Sequence, residues 1–137
     1  GATRDKVATM RRFGEAVGMA FQIQDDILDY TRTAHTGKPA NNDLREGKIT
    51  LPLLAVLDKA PAERRTELLG RLACCHDDEE SEEYLQRTVE NEGGLTFAAE
   101  VMRSYIARAV EMLSEYEASD YRTALANLCA YIAERDR

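Results

Sequence analysis

Residues 13–30 read FGEAVGMAFQIQDDILDY, and their spacing predicts one long amphipathic helix. With Gln22 as origin and a step of about 100° per residue, Asp25 falls near 300°, Asp29 near 340° and Asp26 near 40°. Three carboxylates thus share one face. Met10, Phe13, Val17, Ala20, Phe21, Ile27 and Leu28 lie across the axis, between about 140° and 260°, on the stripe expected to be buried. Asp25 and Asp29 are one turn apart, where like charges destabilise an isolated helix by roughly 0.2–0.5 kcal/mol, so a cation is expected to offset them. Mg2+ is the natural candidate, because it takes one or two carboxylates together with phosphate oxygens and water.

Taken alone, the triplet fits a solvated acidic face. Its surroundings change that reading. Gly14 and Gly18 lie mid-helix near the aspartate side, where each costs about 1 kcal/mol against alanine, and close approach by a neighbour or a ligand would justify them. Downstream, Gly37-Lys38 and Gly47-Lys48 each join a permissive backbone to an ammonium group, which suits close contact with phosphate oxygens. Together these features describe an anionic ligand held by metal on one side and lysines on the other.

The rest of the chain reads as all-helical. It has 137 residues, and segments rich in Ala, Leu, Glu, Arg and Met carry helical periodicity without β-branched alternation. Helices are expected near 3–33, 43–59, 62–74, 77–92, 95–117 and 119–135, with a loop over 33–42 and a break or kink near 49–51 around Pro52. Asp43 and Thr50 are candidate helix caps. Gly93-Gly94 reads as a C-cap and turn. Val101, Ile106, Ala109, Val110 and Leu113, then Leu125, Leu128 and Ile132, read as core stripes. The acidic run from Asp77 to Glu83 reads as a helix start complementing the dipole, with a solvated face.

Composition narrows the function. Eighteen Lys and Arg stand against 25 Asp and Glu, a net charge of −7, which opposes binding to nucleic acid or an anionic membrane surface. No apolar run approaches the ~20 residues that span a bilayer. The three cysteines, two of them adjacent, suit a reducing, cytoplasmic setting better than a disulfide framework. Cys74, Cys75, His76 and Asp77 are ligand types, but consecutive helical residues diverge too far to converge on one ion.

The stretch GMAFQIQDDILDY at 18–30 resembles the second aspartate-rich region of trans-polyprenyl diphosphate synthases. Gly37-Lys38-Pro39 and the run Asn42-Asp43-Leu44-Arg45-Glu46-Gly47-Lys48-Ile49-Thr50-Leu51-Pro52 resemble the segment that follows it in that family. The likeness is tight over 13–53 and looser elsewhere. It implies the all-α helical bundle of isoprenoid synthases, here its C-terminal helices, over a single domain part at 1–137. It also implies that Asp25 and Asp29 bind Mg2+ bridged to an allylic diphosphate with Asp26 in support, and that Lys38 and Lys48 contact the diphosphate. Phe21 and Gln22 would border the prenyl-acceptor site, and Asp43 would orient a lysine or a metal-bound water.

The implied reaction is condensation of isopentenyl diphosphate with the allylic diphosphate by ionisation to a carbocation, with no protein nucleophile. The run GKPANNDLREGKITLPLL tilts the resemblance toward long-chain, octaprenyl-like synthases. The full-length enzyme would be a homodimer. The family's first aspartate-rich motif is not found here, so a part of a larger enzyme, inactive by itself, is the expectation. A non-catalytic subunit and an unrelated acidic helical binding module are the alternatives. Where the family often has glycine, this chain has Asn41, which tolerates left-handed backbone best after glycine.

Overall fold

Helix-forming composition is realised as seven α-helices in the computed structural model, which describes residues 4–36 and 40–134. They are α1 (Arg4–Thr36), α2 (Asn42–Arg45), α3 (Leu51–Lys59), α4 (Ala62–Cys74), α5 (Glu79–Asn91), α6 (Gly94–Leu113) and α7 (Asp120–Glu134). No strand occurs among the described residues. The expected all-α class is what the chain adopts.

The expected helix over 43–59 is two helices instead. α2 ends at once because Gly47 takes a left-handed φ of 72°, a conformation glycine enters without a Cβ penalty. Thr50 is extended, and Pro52 follows in the first turn of α3. A helix running through would set the Pro52 ring against the carbonyl four residues back, at Lys48. Thr50 occupies the cap position without a side-chain cap bond. The other end of α3 is closed from α4, where Arg65 donates to the Leu57 carbonyl at 3.0 Å and the Ala60 carbonyl at 3.1 Å, satisfying groups a helix end leaves open.

The chain divides into two compact units, residues 1–24 with 100–137, and residues 25–99. In the second, Tyr30, Leu44, Leu53, Val56, Leu57, Leu68, Leu72, Leu85 and Val89 form one buried cluster. Asp78 caps α5, accepting from the Glu80 N–H and the Ser81 hydroxyl. Cys75 belongs to the core, where burial, then the nearby Glu82 and Asp78, pushes its thiol up to about 11.

In the first unit, the link from α6 to α7 is tied to α1. The Tyr116 hydroxyl donates to the Lys6 carbonyl at 2.7 Å, and the Thr9 hydroxyl to Glu115 Oε2 at 3.0 Å. The buried line of α6 is Ala98, Met102, Ile106, Ala109 and Leu113, spaced three to four apart as one helix face. That register turns Val110 outward, and Leu128 of α7 is likewise exposed, so neither belongs to a core stripe. On α1, Phe21 is 44% exposed, while Phe13, Ala16, Ala20, Ile23 and Leu28 are buried. The buried face is therefore rotated away from Phe21.

Glycines separate into open and closed positions. A Cβ added at Gly14 or Gly18 would meet nothing within 4 Å among the described residues, so no described neighbour accounts for them. At Gly94 it would lie 2.4 Å from the Pro52 carbonyl oxygen, an atom of backbone that cannot turn aside. Gly94→Ala is expected to destabilise by about 1–3 kcal/mol through overpacking, and Gly14→Ala to stabilise by about 0.5–1 kcal/mol through helix propensity. Urea denaturation of the two variants checks both signs; equal midpoints would contradict the contrast.

Candidate functional site

The acidic wall of α1 is built as its helical repeat requires, with one addition that only tertiary contacts supply. Asp25 and Asp26 are half-buried, at the border between core and solvent. Asp29 is only 5% exposed, because residues 40–45 fold back over it. The Asn41 N–H donates to the Asp29 carbonyl at 2.7 Å. The Asp43 N–H donates to Asp29 Oδ2 at 2.9 Å. The second contact places a carboxylate at the N-terminus of α2, where an unpaired donor and the positive end of the helix favour it. Asn41 precedes α2 in left-handed backbone, φ 63° and ψ 29°, and makes no side-chain cap bond.

This fold-back gathers negative charge. Burial, then Asp29 and Asp26, raises the Asp43 carboxyl above its ordinary value, and Lys48 counters in part. The Tyr30 hydroxyl is pushed far above the phenolic range by burial, then by Asp29, Asp43 and Asp26. Asp29 and Asp26 thus act on both groups. Lys48 has an exposed side chain whose Nζ lies 2.8 Å from Glu46 Oε2. It stands within electrostatic reach of Asp43 and Asp29 without an ion pair to either among the described contacts. Gly37, Lys38 and Pro39 lie outside the described residues. Phe21 and Gln22 are exposed on α1, one turn before Asp25.

Two residues that no motif signalled, Glu82 and Gln86, complete the arrangement. Asn41 Nδ2 donates to Gln86 Oε1 at 2.8 Å and, more weakly, to Glu82 Oε2 at 3.4 Å. Gln86 Nε2 donates to the Tyr30 carbonyl at 3.2 Å. Arg45 pairs with Glu82 at 2.9 Å. Glu82 lies within the acidic run read as a solvated face, and Gln86 sits among polar residues of an exposed-looking helix. Nothing in their local pattern distinguishes them.

The donor set suits a hard divalent cation. Carboxylate oxygens are its preferred ligands, and Asp29 and Asp26 stand near enough to Asp43 to raise its carboxyl, after burial. Among the described residues no three His, Cys, Asp or Glu side chains are gathered closely enough to hold a metal by themselves. The fit is therefore to an ion that takes one or two protein carboxylates and completes its shell with water and a ligand's phosphate oxygens, as Mg2+ does, and not to a protein cage. No helix among the described residues is long and apolar enough to cross a membrane.

The site is an acid-walled stretch of helix with a glycine-lysine turn within electrostatic reach of it. Comparison with known proteins gives the family. Residues 1–92 match the family model described as polyprenyl synthetase, and the chain belongs to that family. It is 32% identical, over 99% of its length, to a short chain isoprenyl diphosphate synthase of Methanothermobacter thermautotrophicus, covering 42% of that relative. It is 39% identical, over 92% of its length, to an all-trans-nonaprenyl-diphosphate synthase (geranyl-diphosphate specific) of Rhodobacter capsulatus, covering 38% of it. The chain therefore spans less than half the length of these curated relatives.

Solved structures share the fold. A polyprenyl synthase from Caulobacter crescentus, crystallised with calcium and isoprenyl diphosphate, superposes with a TM-score of 0.81 at 31% identity, over 95% of this chain and 40% of that one. A geranylgeranyl pyrophosphate synthase from Bacteroides thetaiotaomicron gives 0.86 at 30% identity, over 98% and 44%.

Proposed function

We propose that this chain is the C-terminal part of a polyprenyl diphosphate synthase domain that condenses isopentenyl diphosphate with an allylic diphosphate, and that it holds the allylic diphosphate. The observation that carries this reading is the fold-back of residues 40–45, in which the Asp43 N–H donates to the Asp29 carboxylate and the Asp43 carboxyl comes within electrostatic reach of Asp29 and Asp26. In this reading Asp25, Asp26 and Asp29 hold Mg2+, with one Asp29 oxygen committed to the Asp43 N–H. The metal, when bound, would supply Lewis acidity to the departing diphosphate.

The protein's own residues do the rest. Lys48 and Lys38 contribute ammonium groups to the diphosphate oxygens, which stabilises the charge that develops as the C–O bond ionises. Asp43 orients Lys48 or a water on the ion. Phe21 and Gln22 offer an exposed apolar and polar pair toward the prenyl acceptor. No serine, cysteine or histidine nucleophile is needed, because the carbocation is attacked by the second substrate. The complete enzyme is read as a homodimer in the cytoplasm.

Calorimetric titration of the chain with inorganic pyrophosphate tests this reading. Binding is expected with Mg2+ and at least tenfold weaker with EDTA, since the carboxylates then repel the ligand. Equal affinity in both conditions, or none in either, would remove the diphosphate from the account.

A further inference from the structure

Asn41 carries two penalties that glycine would avoid. Its φ of 63° is left-handed, a region that residues with a Cβ enter at a cost, asparagine less than most. Its Oδ1 is buried without a hydrogen-bond partner among the described residues, which is destabilising for any acceptor removed from water. The orientation is dictated from α5. Gln86 spends its Nε2 donor on the Tyr30 carbonyl, so its Oε1 faces Asn41, and only the amide nitrogen of Asn41 can meet it. Reversing Asn41 would oppose two acceptors.

What asparagine adds over glycine is the bridge itself. It runs from the Tyr30 carbonyl of α1 through Gln86 of α5 to Asn41, and Asn41 returns to the Asp29 carbonyl by its own N–H at 2.7 Å. Two residues further on, the Asp43 N–H meets the Asp29 carboxylate. Arg45 is drawn to the same face of α5 by Glu82. The start of the segment that bears Asp43 and Lys48 is therefore pinned at both the main chain and the side chain of one residue.

We propose that Gln86, acting through Asn41, is a positioning residue that sets where Asp43 and Lys48 stand against the acids of α1. The inference rests on the diphosphate reading above, but it also makes a demand on the ligand-free chain. Hydrogen–deuterium exchange of the 137-residue chain and of Asn41→Gly, Gln86→Leu and the double variant reads it. Amides of residues 41–48 are expected to exchange about five- to tenfold faster in each single variant, the effect of losing one buried hydrogen bond. The double variant is expected to be no faster than the singles, because both remove one device. Gln86→Leu leaves Asn41 in place, which separates loss of the bridge from the freedom of glycine.

Pyrophosphate affinity in Mg2+ is expected to fall by a similar factor in both single variants, while the thermal midpoint of Asn41→Gly stays level or rises. A purely structural role would lower the midpoint together with the affinity, and that outcome counts against positioning. Unchanged exchange in Gln86→Leu overturns the bridge, whatever the affinities do. Faster exchange with undiminished affinity overturns the positioning role. If the parent chain has no Mg2+-dependent affinity at all, the diphosphate reading fails and the positioning role falls with it. Faster exchange would then still identify the bridge as a contact that orders the segment.

Discussion

Asp25→Ala is expected to abolish most Mg2+-dependent binding of pyrophosphate, by about a hundredfold or more, while leaving the helices intact. A ligand carboxylate supplies several kcal/mol to a metal site, and each 1.36 kcal/mol is a factor of ten. On the stability side, two helix terms favour the substitution. Alanine is the better helix former, by up to about 0.7 kcal/mol. The substitution also relieves the like-charge pair with Asp29 one turn on, worth roughly 0.2–0.5 kcal/mol. Far-UV circular dichroism and a thermal midpoint within a few degrees of the parent would accompany the lost affinity. In a complete synthase containing this segment, turnover is expected to fall by a similar factor. Near-normal prenyl transfer by that enzyme would discredit the role given to Asp25.

Leu44→Ala is expected to be the most damaging single change to the unit formed by residues 25–99. Leu44 is fully buried in the cluster with Tyr30, Leu53, Leu85 and Val89, though it sits on a helix of only four residues. Truncating a buried leucine costs about 2–5 kcal/mol, the transfer term plus the cavity left behind. α2 has too few internal hydrogen bonds to stand alone, so Leu44 is what holds it down, and Asp43 and Arg45 flank it. The loss should therefore appear twice, as a lower urea midpoint and as weaker Mg2+-dependent pyrophosphate binding under conditions where the variant is still folded. A stability loss below about 1 kcal/mol would show that α2 is anchored by its polar contacts alone.

The same two residues show what was legible in advance. Asp25 declared itself by type and spacing, since an aspartate triplet on one helical face is readable at 100° per residue. Leu44 did not, being one apolar residue in a polar turn, expected inside a helix over 43–59 that proves to be broken at Gly47. Phe21 was assigned to the buried stripe and is exposed. The periodicity was right, but the stripe is centred on Ala16, Ala20 and Ile23, and Phe21 falls past its edge.

By itself the amino-acid sequence determined the helical class, the left-handed turn at Asn41, the acidic start of α5 and the common face of Asp25, Asp26 and Asp29. Each of these depends on residues within a turn or two of one another, where steric and hydrogen-bonding preferences act directly. Tertiary structure decided that Asp29 is buried under residues 40–45, that Gln86 and Asn41, 45 residues apart, share a hydrogen bond, and that Gly94 lies against the Pro52 carbonyl. Those contacts join side chains and backbone groups brought together only when separate helices pack, and a periodic pattern records which face of a helix is buried without recording what meets it there.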